Sequence, residues 1–330
     1  MNPEISVVVP WYNEAENIIN TNNKIKENLL KITKNFEIIY VDDGSVDNTF
    51  SKLFSISTDD KKIKIVKLSR NFGHQNAIYA GLEKTSGKCI ILIDADLQDP
   101  PEMFPKMFEN WKNGYKVVYG IRKKRKGSYF KLLAYSLYHK LFNLLSNISS
   151  ETDLVDFCLI DESIKKHLLN FKEKNIYFRG LRSWLGFKQI GIEYDRDDRK
   201  LGLSKYNILK LYNLALNGIL NFSTKPLTLI LFSGIFIFLI SFCLIIFYIF
   251  QKIFNFEFLG ILPDQAPGFY TIIIFILIFG SFNLICLGLI GEYIGRLYEE
   301  SKSRPKFIID EIVNIDEKSW YFIFIYYFFN

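Results

Sequence analysis

The sequence CIILIDADLQDPP occupies residues 89–101 and joins an apolar run to a group of carboxylates. Five consecutive apolar residues, Cys89 to Ile93, are typical of a strand that is buried on both faces. Asp94 and Asp96 follow at a spacing of two, which puts their side chains on the same side of an extended chain. The Asp99-Pro100-Pro101 sequence then ends the extended segment, because proline has no N–H to donate. This arrangement predicts a buried strand with a pair of carboxylates at its carboxyl end.

Around this stretch, the first 120 residues alternate apolar segments with amphipathic ones, which predicts an α/β fold with a mostly parallel sheet. The strand candidates are Ile5 to Val9, Phe36 to Val41, Ile63 to Leu68, Cys89 to Ile93 and Lys116 to Tyr119. The helix candidates are Glu16 to Lys31, Gln75 to Lys84 and Glu102 to Asn113. Ligands of such sheets bind outside the carboxyl ends of the strands. Chemistry is therefore expected in residues 10–14, 42–47, 69–74 and 94–99.

The second half of the chain has a different composition. Two runs, Leu227 to Phe250 and Gly268 to Ile290, contain no charged residue. Each run would form a helix of about 35 Å, enough to cross a hydrocarbon core of about 30 Å. Lysine and arginine are concentrated on the terminal sides of the two runs, not between them. This asymmetry predicts two transmembrane helices with both termini in the cytoplasm.

These patterns divide the chain into a cytoplasmic domain, a juxtamembrane amphipathic helix, a first span, an extracytoplasmic loop, a second span and a cytoplasmic tail. Their bounds are, in that order, 1–203, 204–226, 227–250, 251–267, 268–290 and 291–330. Within the first part, residues 129–148 have the pattern of a helix that lies on the bilayer surface. Packing against the protein core would give the same pattern.

Composition excludes several other classes of protein. The four cysteines, Cys89, Cys158, Cys243 and Cys286, lie far apart, which argues against disulfides and a zinc site. The net charge of +6 is concentrated at residues 122–126 and beside the apolar runs. An anionic membrane surface fits this distribution, whereas no nucleic-acid-binding motif accompanies it.

Asp94, Asp96 and Gln98 are the candidate metal ligands. Mg²⁺ and Mn²⁺ prefer oxygen ligands, and a departing diphosphate needs its charge neutralised. Many solvated turns also contain two aspartates at this spacing. The position after a buried strand and before two prolines favours the metal.

Asp42-Asp43-Gly44-Ser45 follows another apolar strand, and Gly44 supplies a turn. Carboxylates there can accept hydrogen bonds from a uracil ring or from ribose hydroxyls. The alternative is that Asp43 and Ser45 only cap a turn. Pro10 to Glu14 ends the first strand in the same way and offers the aromatic rings of Trp11 and Tyr12 to a base.

Four successive motifs follow the predicted strands, namely VPWYNE (9–14), VDDGS (41–45), NFG (71–73) and DADLQDPPE (94–102). They resemble those of polyprenyl-phosphate glycosyltransferases in glycosyltransferase family 2, a group that includes dolichol-phosphate mannose synthases and bacterial undecaprenyl-phosphate glucosyltransferases. The likeness continues through RKLGLSKY (199–206), both apolar runs and GEYIGR (291–296). It implies a GT-A-type nucleotide-binding domain with interfacial helices and two transmembrane helices.

The resemblance also implies roles for individual residues. The implied catalytic carboxylates are Asp94, Asp96 and Asp156, and the implied ligands of Mg²⁺ or Mn²⁺ are Asp94, Asp96 and Gln98. The implied donor-binding residues are Pro10, Tyr12, Glu14, Asp43, Ala95, Gln98, Arg199 and Lys205. Arg199 and Lys205 belong to a basic, glycine-containing segment that is expected to close over the diphosphate. A solvated charged turn is the alternative for that segment.

Two residues raise questions that the sequence leaves open. Asp156-Phe157 resembles the family's Asp-Phe-Arg-Leu element, but Cys158 stands where arginine is usual. The partner of Asp156 is therefore not identified. His74 follows the third predicted strand, where a histidine more often caps or packs than catalyses, so we predict a structural role.

Arg122 is the candidate ligand of the acceptor phosphate. It follows the apolar run Val117 to Ile121 at another strand end, and a guanidinium can donate two parallel hydrogen bonds to a phosphate. The lysines that follow it suit anionic lipid headgroups better. The alternative is a solvated basic turn over residues 122–126.

We therefore expect inverting transfer of a hexose, with UDP-glucose as the leading donor, to undecaprenyl phosphate. The expected partners are a nucleotide-sugar, a polyprenyl phosphate and the bacterial inner membrane, without nucleic acid, and the resemblance points to a homotetramer. A processive polysaccharide synthase is an alternative, but a Gln-x-x-Arg-Trp signature is absent from the sequence. An inactive membrane scaffold is another, against which the intact Asp94, Asp96 and Gln98 speak.

Overall fold

The computed structural model describes residues 3–122, 155–174, 176–195, 225–254 and 269–315. The chain divides into two compact units. The first comprises Met1–Leu144, Ile148–Gly218 and Arg304–Asn330, and the second comprises Leu145–Asn147 and Ile219–Ser303. The predicted helix at 129–148, residues 204–224 of the predicted helix at 204–226 and most of the predicted loop at 251–267 lie outside the described residues.

The described part of the first unit contains an eight-stranded sheet between helices. Its strands are β1 (Ile5–Trp11), β2 (Phe36–Asp42), β3 (Ile63–Leu68), β4 (Cys89–Leu92), β5 (Val117–Arg122), β6 (Cys158–Asp161), β7 (Gln189–Tyr194) and β8 (Ile309–Val313). Their order across the sheet is β7-β5-β6-β4-β1-β2-β3-β8. The helices are α1 (Ile18–Leu30), α2 (Thr49–Asp59), α3 (His74–Lys84), α4 (Phe104–Lys112), α5 (Glu162–Asn170) and α6 (Phe178–Trp184).

The centre of the sheet is parallel, which confirms the predicted α/β architecture. β4, β1, β2 and β3 lie side by side and run in the same direction. Every residue of β1, β2 and β4 is buried. This burial explains why the three strands are mostly apolar in sequence without regular alternation, and the polar residues within them, Ser6, Glu37 and Asp42, are buried as well.

Helix α3 packs closely against the middle of the parallel strands. A Cβ atom at Gly81 would lie 2.3 Å from Val8 Cγ1 and 2.9 Å from Val41 Cγ2, so only glycine permits this approach. On the other face, Ile25 of α1 and Met107 of α4 belong to the main apolar core. The close contact at Gly81 fixes α3, and with it the loop that precedes the helix, against β1 and β2.

Two antiparallel strands were not predicted from the sequence. β6 lies between β4 and β5 and is antiparallel to both. β8 lies beside β3 at the edge of the sheet. It is held there by an ion pair between Lys67 Nζ and Asp310 Oδ2 at 3.0 Å, and by Asn314, whose side chain donates to the carbonyls of Ser57 and Ile63 at 2.7 and 2.9 Å. The first unit therefore includes residues from the predicted C-terminal tail.

The described part of the second unit consists of the helices α7 (Lys225–Phe254) and α8 (Phe269–Ser301). Both expose large apolar side chains, such as Phe236 on α7 and Leu284 on α8. Among the residues that the structure describes, no helix has the length and apolar character needed to cross a membrane. The two transmembrane helices therefore stay a prediction.

Candidate active site

The carboxyl ends of β1, β2 and β4 meet at one edge of the sheet. Trp11 pairs with Asp42 across β1 and β2, and Val8 pairs with Leu92 across β1 and β4. The segments that follow these strands therefore begin at the same level of the sheet. This register brings together the polar residues that the sequence singled out after each strand.

Asp42 and Asp43 are both buried at the end of β2, but they have different partners. Asp43 accepts hydrogen bonds from the backbone N–H groups of Phe72 at 2.7 Å and Gly73 at 3.0 Å, one at each oxygen. Asp42 Oδ1 accepts from the Ser45 N–H at 3.1 Å, whereas its buried Oδ2 has no hydrogen-bond partner within the described residues. Burial raises the pKa of both carboxyl groups. Asp43 thus holds the loop before α3, whereas its neighbour Asp42 keeps one buried oxygen without a hydrogen-bond partner among the described residues.

The loops after β1 and β2 brace each other through hydrogen bonds. The Asn13 N–H donates to Ser45 Oγ at 3.0 Å, and Asn13 Oδ1 accepts from the Val46 N–H at 2.9 Å. The Glu14 N–H donates to Thr49 Oγ1 at 3.1 Å. Asn13 adopts a positive φ of 52°, which asparagine tolerates better than most residues. The predicted donor-binding segment 10–14 is therefore held in place by hydrogen bonds to the loop after β2.

The predicted donor-binding side chains of this segment differ in accessibility. Tyr12 is 39% exposed, so its ring is available to a base. Pro10 is buried within β1 and shapes the strand end. Glu14 Oε2 accepts a hydrogen bond from Asn17 Nδ2 at 2.9 Å. Of the three, Tyr12 offers the most accessible surface for a ligand.

Gly44 permits the close approach of the β2 turn to the loop after β3. Its φ is +66°, and a Cβ atom there would lie 2.4 Å from the carbonyl carbon of Arg70. Only glycine satisfies both conditions. The glycine predicted to make a turn thus also allows the loops after β2 and β3 to approach each other closely.

The carboxylate turn after β4 contains Asp94, Ala95, Asp96 and Gln98. Asp96 Oδ1 accepts from the Gln98 N–H at 3.1 Å, and the intervening Leu97 has a positive φ of 54°. The Ala95 carbonyl accepts from Thr21 Oγ1 at 3.0 Å, which ties the turn to α1. These bonds hold the predicted metal-binding residues in one compact turn.

The Asp94 carboxyl lies in an electrostatically crowded position. Burial raises its pKa; the nearby His74 lowers it, and the surrounding aspartates raise it again, to about 6. A cation beside Asp94 would relieve this crowding. Within the described ranges, no three His, Cys, Asp or Glu side chains are grouped so as to hold a metal by themselves. Mg²⁺ is commonly bound by one or two carboxylates together with substrate phosphates, and Asp94 and Asp96 suit that mode.

His74 was predicted to be structural, but it lies between two of the predicted catalytic carboxylates. Its Nε2 is 3.4 Å from Asp94 Oδ1 and 3.7 Å from Asp156 Oδ2. Burial lowers the pKa of His74, but the two carboxylates outweigh burial and raise it to about 9. His74 thus lies within ion-pair distance of both Asp94 and Asp156. The sequence feature that could have indicated a site role for His74 was its position directly after the loop that follows β3.

The partner of Asp156, which the sequence left open, is Arg179 of α6. Arg179 Nε donates to Asp156 Oδ1 at 2.9 Å, and Nη2 donates to Oδ2 at 2.7 Å. Burial raises the pKa of Asp156, but Arg179 and His74 outweigh burial and hold it well below its usual range. Arg179 carried no recognisable motif, because it reaches the site through the packing of α6. Position 158 holds a cysteine where an arginine was expected, and the guanidinium that pairs with Asp156 comes from Arg179 on helix α6.

Arg122 ends β5, as predicted, and lies beside the carboxylate turn. Its Nη2 is 3.8 Å from Asp99 Oδ1, and its Nε donates to the Tyr194 hydroxyl at 3.3 Å. The same hydroxyl donates to Asp99 Oδ1. Because Asp99 directly follows Gln98, this cluster joins the end of β5 to the predicted metal-binding turn. Its role in binding the acceptor phosphate stays a prediction.

Two predicted donor-binding residues, Arg199 and Lys205, lie outside the described residues. The structure therefore brings together the predicted residues at the ends of β1, β2, β4 and β5 and adds His74 and Arg179 to them. This edge of the sheet carries the unpartnered Asp42 Oδ2, the exposed Tyr12 and the electrostatically crowded Asp94. Such an edge can hold a nucleotide and a diphosphate-bound cation.

Residues 6–171 match the model of a family described as glycosyl transferase family 2. The chain belongs to this family, and it is a glycosyltransferase. The match begins within β1 and ends directly after α5, so it covers the predicted site residues at the ends of β1, β2, β4 and β5 together with His74 and Asp156, but not Arg179 or Tyr194.

Curated relatives resemble the chain over nearly its whole length. The uncharacterized glycosyltransferase YkcC of Bacillus subtilis is 40% identical over 96% of this chain and 97% of its own. The bactoprenol glucosyl transferase of Shigella phage SfX is 35% identical over 93% of this chain and 98% of its own. A prophage bactoprenol glucosyl transferase homolog of Escherichia coli K12 is 34% identical over 94% of this chain and 99% of its own.

Solved structures are more distant. Glucosyl-3-phosphoglycerate synthase from Mycobacterium tuberculosis, in complex with Mn²⁺ and UDP-glucose, is 19% identical over 66% of this chain and 79% of that chain, with a TM-score of 0.43. A likeness of this degree is too low to bear on the site.

Proposed function

We propose that the protein transfers glucose from UDP-glucose to undecaprenyl phosphate, with inversion at the anomeric carbon. The observation that carries this proposal is the meeting of Asp42, Asp94 and Asp96 at one sheet edge in a family 2 glycosyltransferase. Relatives similar over 93% of the chain are named bactoprenol glucosyl transferases, and that name describes transfer of glucose to a polyprenol. Together they favour a nucleotide-sugar donor and a polyprenyl phosphate acceptor.

The donor would bind across the ends of β1, β2 and β4. The unpartnered Asp42 Oδ2 suits a uracil N–H or a ribose hydroxyl, and the exposed ring of Tyr12 suits the face of the base. Asp94 and Asp96 would hold Mg²⁺ or Mn²⁺, with Gln98 as a neutral oxygen ligand. When bound, the cation would neutralise the charge that develops on the leaving UDP.

The acceptor phosphate needs little help from a general base. A phosphate monoester has a second pKa of about 6, so it is largely ionised near neutral pH and is itself the nucleophile. Asp156, whose pKa is held well below its usual range by Arg179, is a weak base. Its charge instead orients Arg179 and His74, while Arg122 is placed to bind the phosphate. The lipid phosphate oxygen then attacks the anomeric carbon from the face opposite UDP.

We propose further that the enzyme works at the bacterial inner membrane, with the first unit in the cytoplasm and the apolar helices in the bilayer as two spans. An acceptor with a long polyprenyl tail resides in a membrane, so the enzyme must meet it there. The exposed phenylalanine, leucine and isoleucine side chains of α7 and α8 support this location, because water solvates such surfaces poorly.

The test incubates membranes containing the full chain with undecaprenyl phosphate and, in turn, UDP-glucose, UDP-galactose, UDP-N-acetylglucosamine and GDP-mannose. Mass spectrometry of the lipid should show one added hexose with UDP-glucose, and NMR should show that the configuration of the anomeric carbon is inverted. Undecaprenol without its phosphate is the matched acceptor control and should give no product. The absence of a glycolipid with every donor, or a polymer made without lipid, would contradict the proposal.

A further inference from the structure

We propose that Arg182 is a positioning residue for this reaction, which fixes the segment 155–158 and thereby the carboxylate of Asp156. We propose also that Cys158 is small because its neighbour Arg182 fills the space beside it. The kinetic part of this inference rests on the proposed function. Its structural part stands on the contacts of Arg182 alone.

Arg182 is among the most deeply buried charged residues that the structure describes, with 1% of its surface exposed. One guanidinium nitrogen, Nη1, donates to the Val155 carbonyl at 3.2 Å. The guanidinium also lies over the ring of Tyr119, with its central carbon 5.0 Å from the ring centre. Val155 directly precedes Asp156, so this hydrogen bond holds the backbone from which the site carboxylate projects.

The Nε and Nη2 groups of Arg182 do not stabilise the fold through hydrogen bonds. Within the described residues its Nε and Nη2 are buried without a hydrogen bond of good geometry, and the nearby thiol of Cys158 is at most a weak acceptor for them. A buried guanidinium with unpartnered N–H groups costs free energy, and an apolar side chain of similar volume would avoid that cost. The arginine at this position is therefore better explained by what it positions than by a contribution to folding.

Arg182 and Arg179 act on the same segment from one short helix. They are three residues apart on α6 and so project from the same side of it. Arg179 binds the side chain of Asp156 through two hydrogen bonds, while Arg182 binds the carbonyl of the preceding residue. The two guanidinium groups fix the carboxylate at both its side chain and its backbone.

Cys158 shares this environment. It is fully buried and pairs with Tyr119 across β6 and β5, so its side chain lies beside the ring that the guanidinium covers. Burial raises the pKa of the Cys158 thiol, and the nearby Arg182 partly opposes that effect. A longer side chain at position 158 would compete with Arg182 for the same space. Conversely, an arginine at position 158 of β6 would place its guanidinium in the space beside Tyr119 that Arg182 now occupies.

The first experiment measures kcat and KM for purified full-length Arg182→Met and Arg182→Lys with UDP-glucose and undecaprenyl phosphate. We expect Arg182→Met to lower kcat at least about tenfold, since small displacements of a site group cost that much or more. KM for UDP-glucose should change less than about twofold, because the donor-binding strand ends do not contact Arg182. Arg182→Lys keeps the positive charge but lacks the planar guanidinium, so its kcat should lie between those of the wild type and Arg182→Met. Lys166→Met, an exposed position on α5, is the matched control and should behave like the wild type.

The second experiment introduces Cys158→Arg alone and together with Arg182→Met. Alone, Cys158→Arg crowds two guanidinium groups into one buried space, so both Tm and kcat should fall. In the double variant, the new arginine replaces the missing one, so kcat and Tm should exceed those of either single variant. Such a reversal is the sign of direct coupling between the two positions.

The outcomes separate the inference from the proposed function. An unchanged kcat in Arg182→Met, or a double variant whose kcat and Tm are simply the combined losses of the two single variants, would overturn the role of Arg182. If the wild type transfers no glucose, the proposed function fails. In that case the Tm values of the wild type, the two single variants Arg182→Met and Cys158→Arg, and the double variant still test whether Arg182 and Cys158 share one space.

Discussion

The Asp43 carboxylate accepts the backbone N–H of Gly73 at 3.0 Å, and Gly73, at a φ of +94°, is the last residue before helix α3 begins at His74. The end of β2 is thus tied to the start of the helix that carries His74 into the site. A residue that the sequence suggested as a nucleotide contact also organises the loop around it.

Replacing Asp43 by alanine should therefore disturb both stability and nucleotide binding. The change removes two hydrogen bonds to a charged acceptor, each worth about 1.5–3 kcal/mol in such settings. We expect a lower Tm and weaker binding of UDP, measured by thermal unfolding and calorimetry. The control is Asp59→Ala at an exposed position at the end of α2, which should change neither. Wild-type UDP affinity in Asp43→Ala would assign the residue no part in the donor site.

Replacing Asp96 by asparagine should reduce turnover by about 100-fold or more, because the leaving diphosphate would lose part of its charge neutralisation. The fold should be retained, since asparagine keeps an oxygen that can accept the Gln98 N–H at the observed distance of 3.1 Å. A second measurement compares the Tm in the presence of UDP and Mn²⁺ with the Tm in the presence of UDP alone. This metal-dependent increment should be present in the wild type and lost in the variant. Near-normal turnover of Asp96→Asn in the presence of a chelator would refute the metal role.

Replacing Arg122 by lysine should raise KM for undecaprenyl phosphate more than KM for UDP-glucose. Lysine keeps the charge but lacks the planar fork that matches a phosphate. Initial rates with each substrate varied in turn provide the measurement. Lys124→Ala, at a position outside the described residues, should instead alter membrane attachment and its salt dependence. Equal losses for the two substrates in Arg122→Lys would place the phosphate elsewhere.

The buried Glu37 should make stability depend on pH. Burial raises its pKa, but hydrogen bonds from Lys64, Ser6 and Ser86 outweigh burial and leave the pKa below its ordinary value of 4.5. A carboxyl group with a lower pKa in the folded state contributes stability above its unfolded pKa, and this contribution is lost as the pH falls through the folded pKa. The difference in Tm between the wild type and Glu37→Gln should therefore be largest near neutral pH and should shrink below about pH 4.5.

Thermal unfolding from neutral pH to about pH 3 measures this difference. Glu27→Gln is the control, because Glu27 is exposed on α1 and forms an ion pair with the exposed Lys31 along the same helix. Its Tm difference from the wild type should stay small throughout. A difference for Glu37→Gln that does not change with pH would show that the charge of Glu37 contributes no stability.

The sequence was sufficient to predict the central strands and the residues at their ends. Buried parallel strands such as β4 leave short apolar runs in the sequence, and the ligand side of such a sheet is known in advance. Asp94 and Asp96 could therefore be predicted as neighbours of residues more than 50 positions away. The same reasoning placed Arg122 correctly at the end of β5.

The remaining features depend on contacts that leave no local pattern. β6 has only four residues, and β8, with Asp310 and Glu311, looks like a charged turn. His74 and Arg179 come from the first turns of two helices, and only the packing of α3 and α6 brings both to Asp156. Asp43 uses both oxygens to bind the loop before α3, and Asp42 keeps the unpartnered buried oxygen, because the chain direction after β2 decides which carboxylate meets that loop.

The position of β8 has a consequence for how the protein is made. A ribosome completes β1 to β7 first, then the two apolar helices, and only afterwards the strand that covers the edge of β3. Until that moment the nascent sheet presents β3 as an open edge, which is where strands of separate chains associate. A shortened protein that ends before residue 304 would keep this edge permanently and should aggregate, even though it retains every carboxylate of the site.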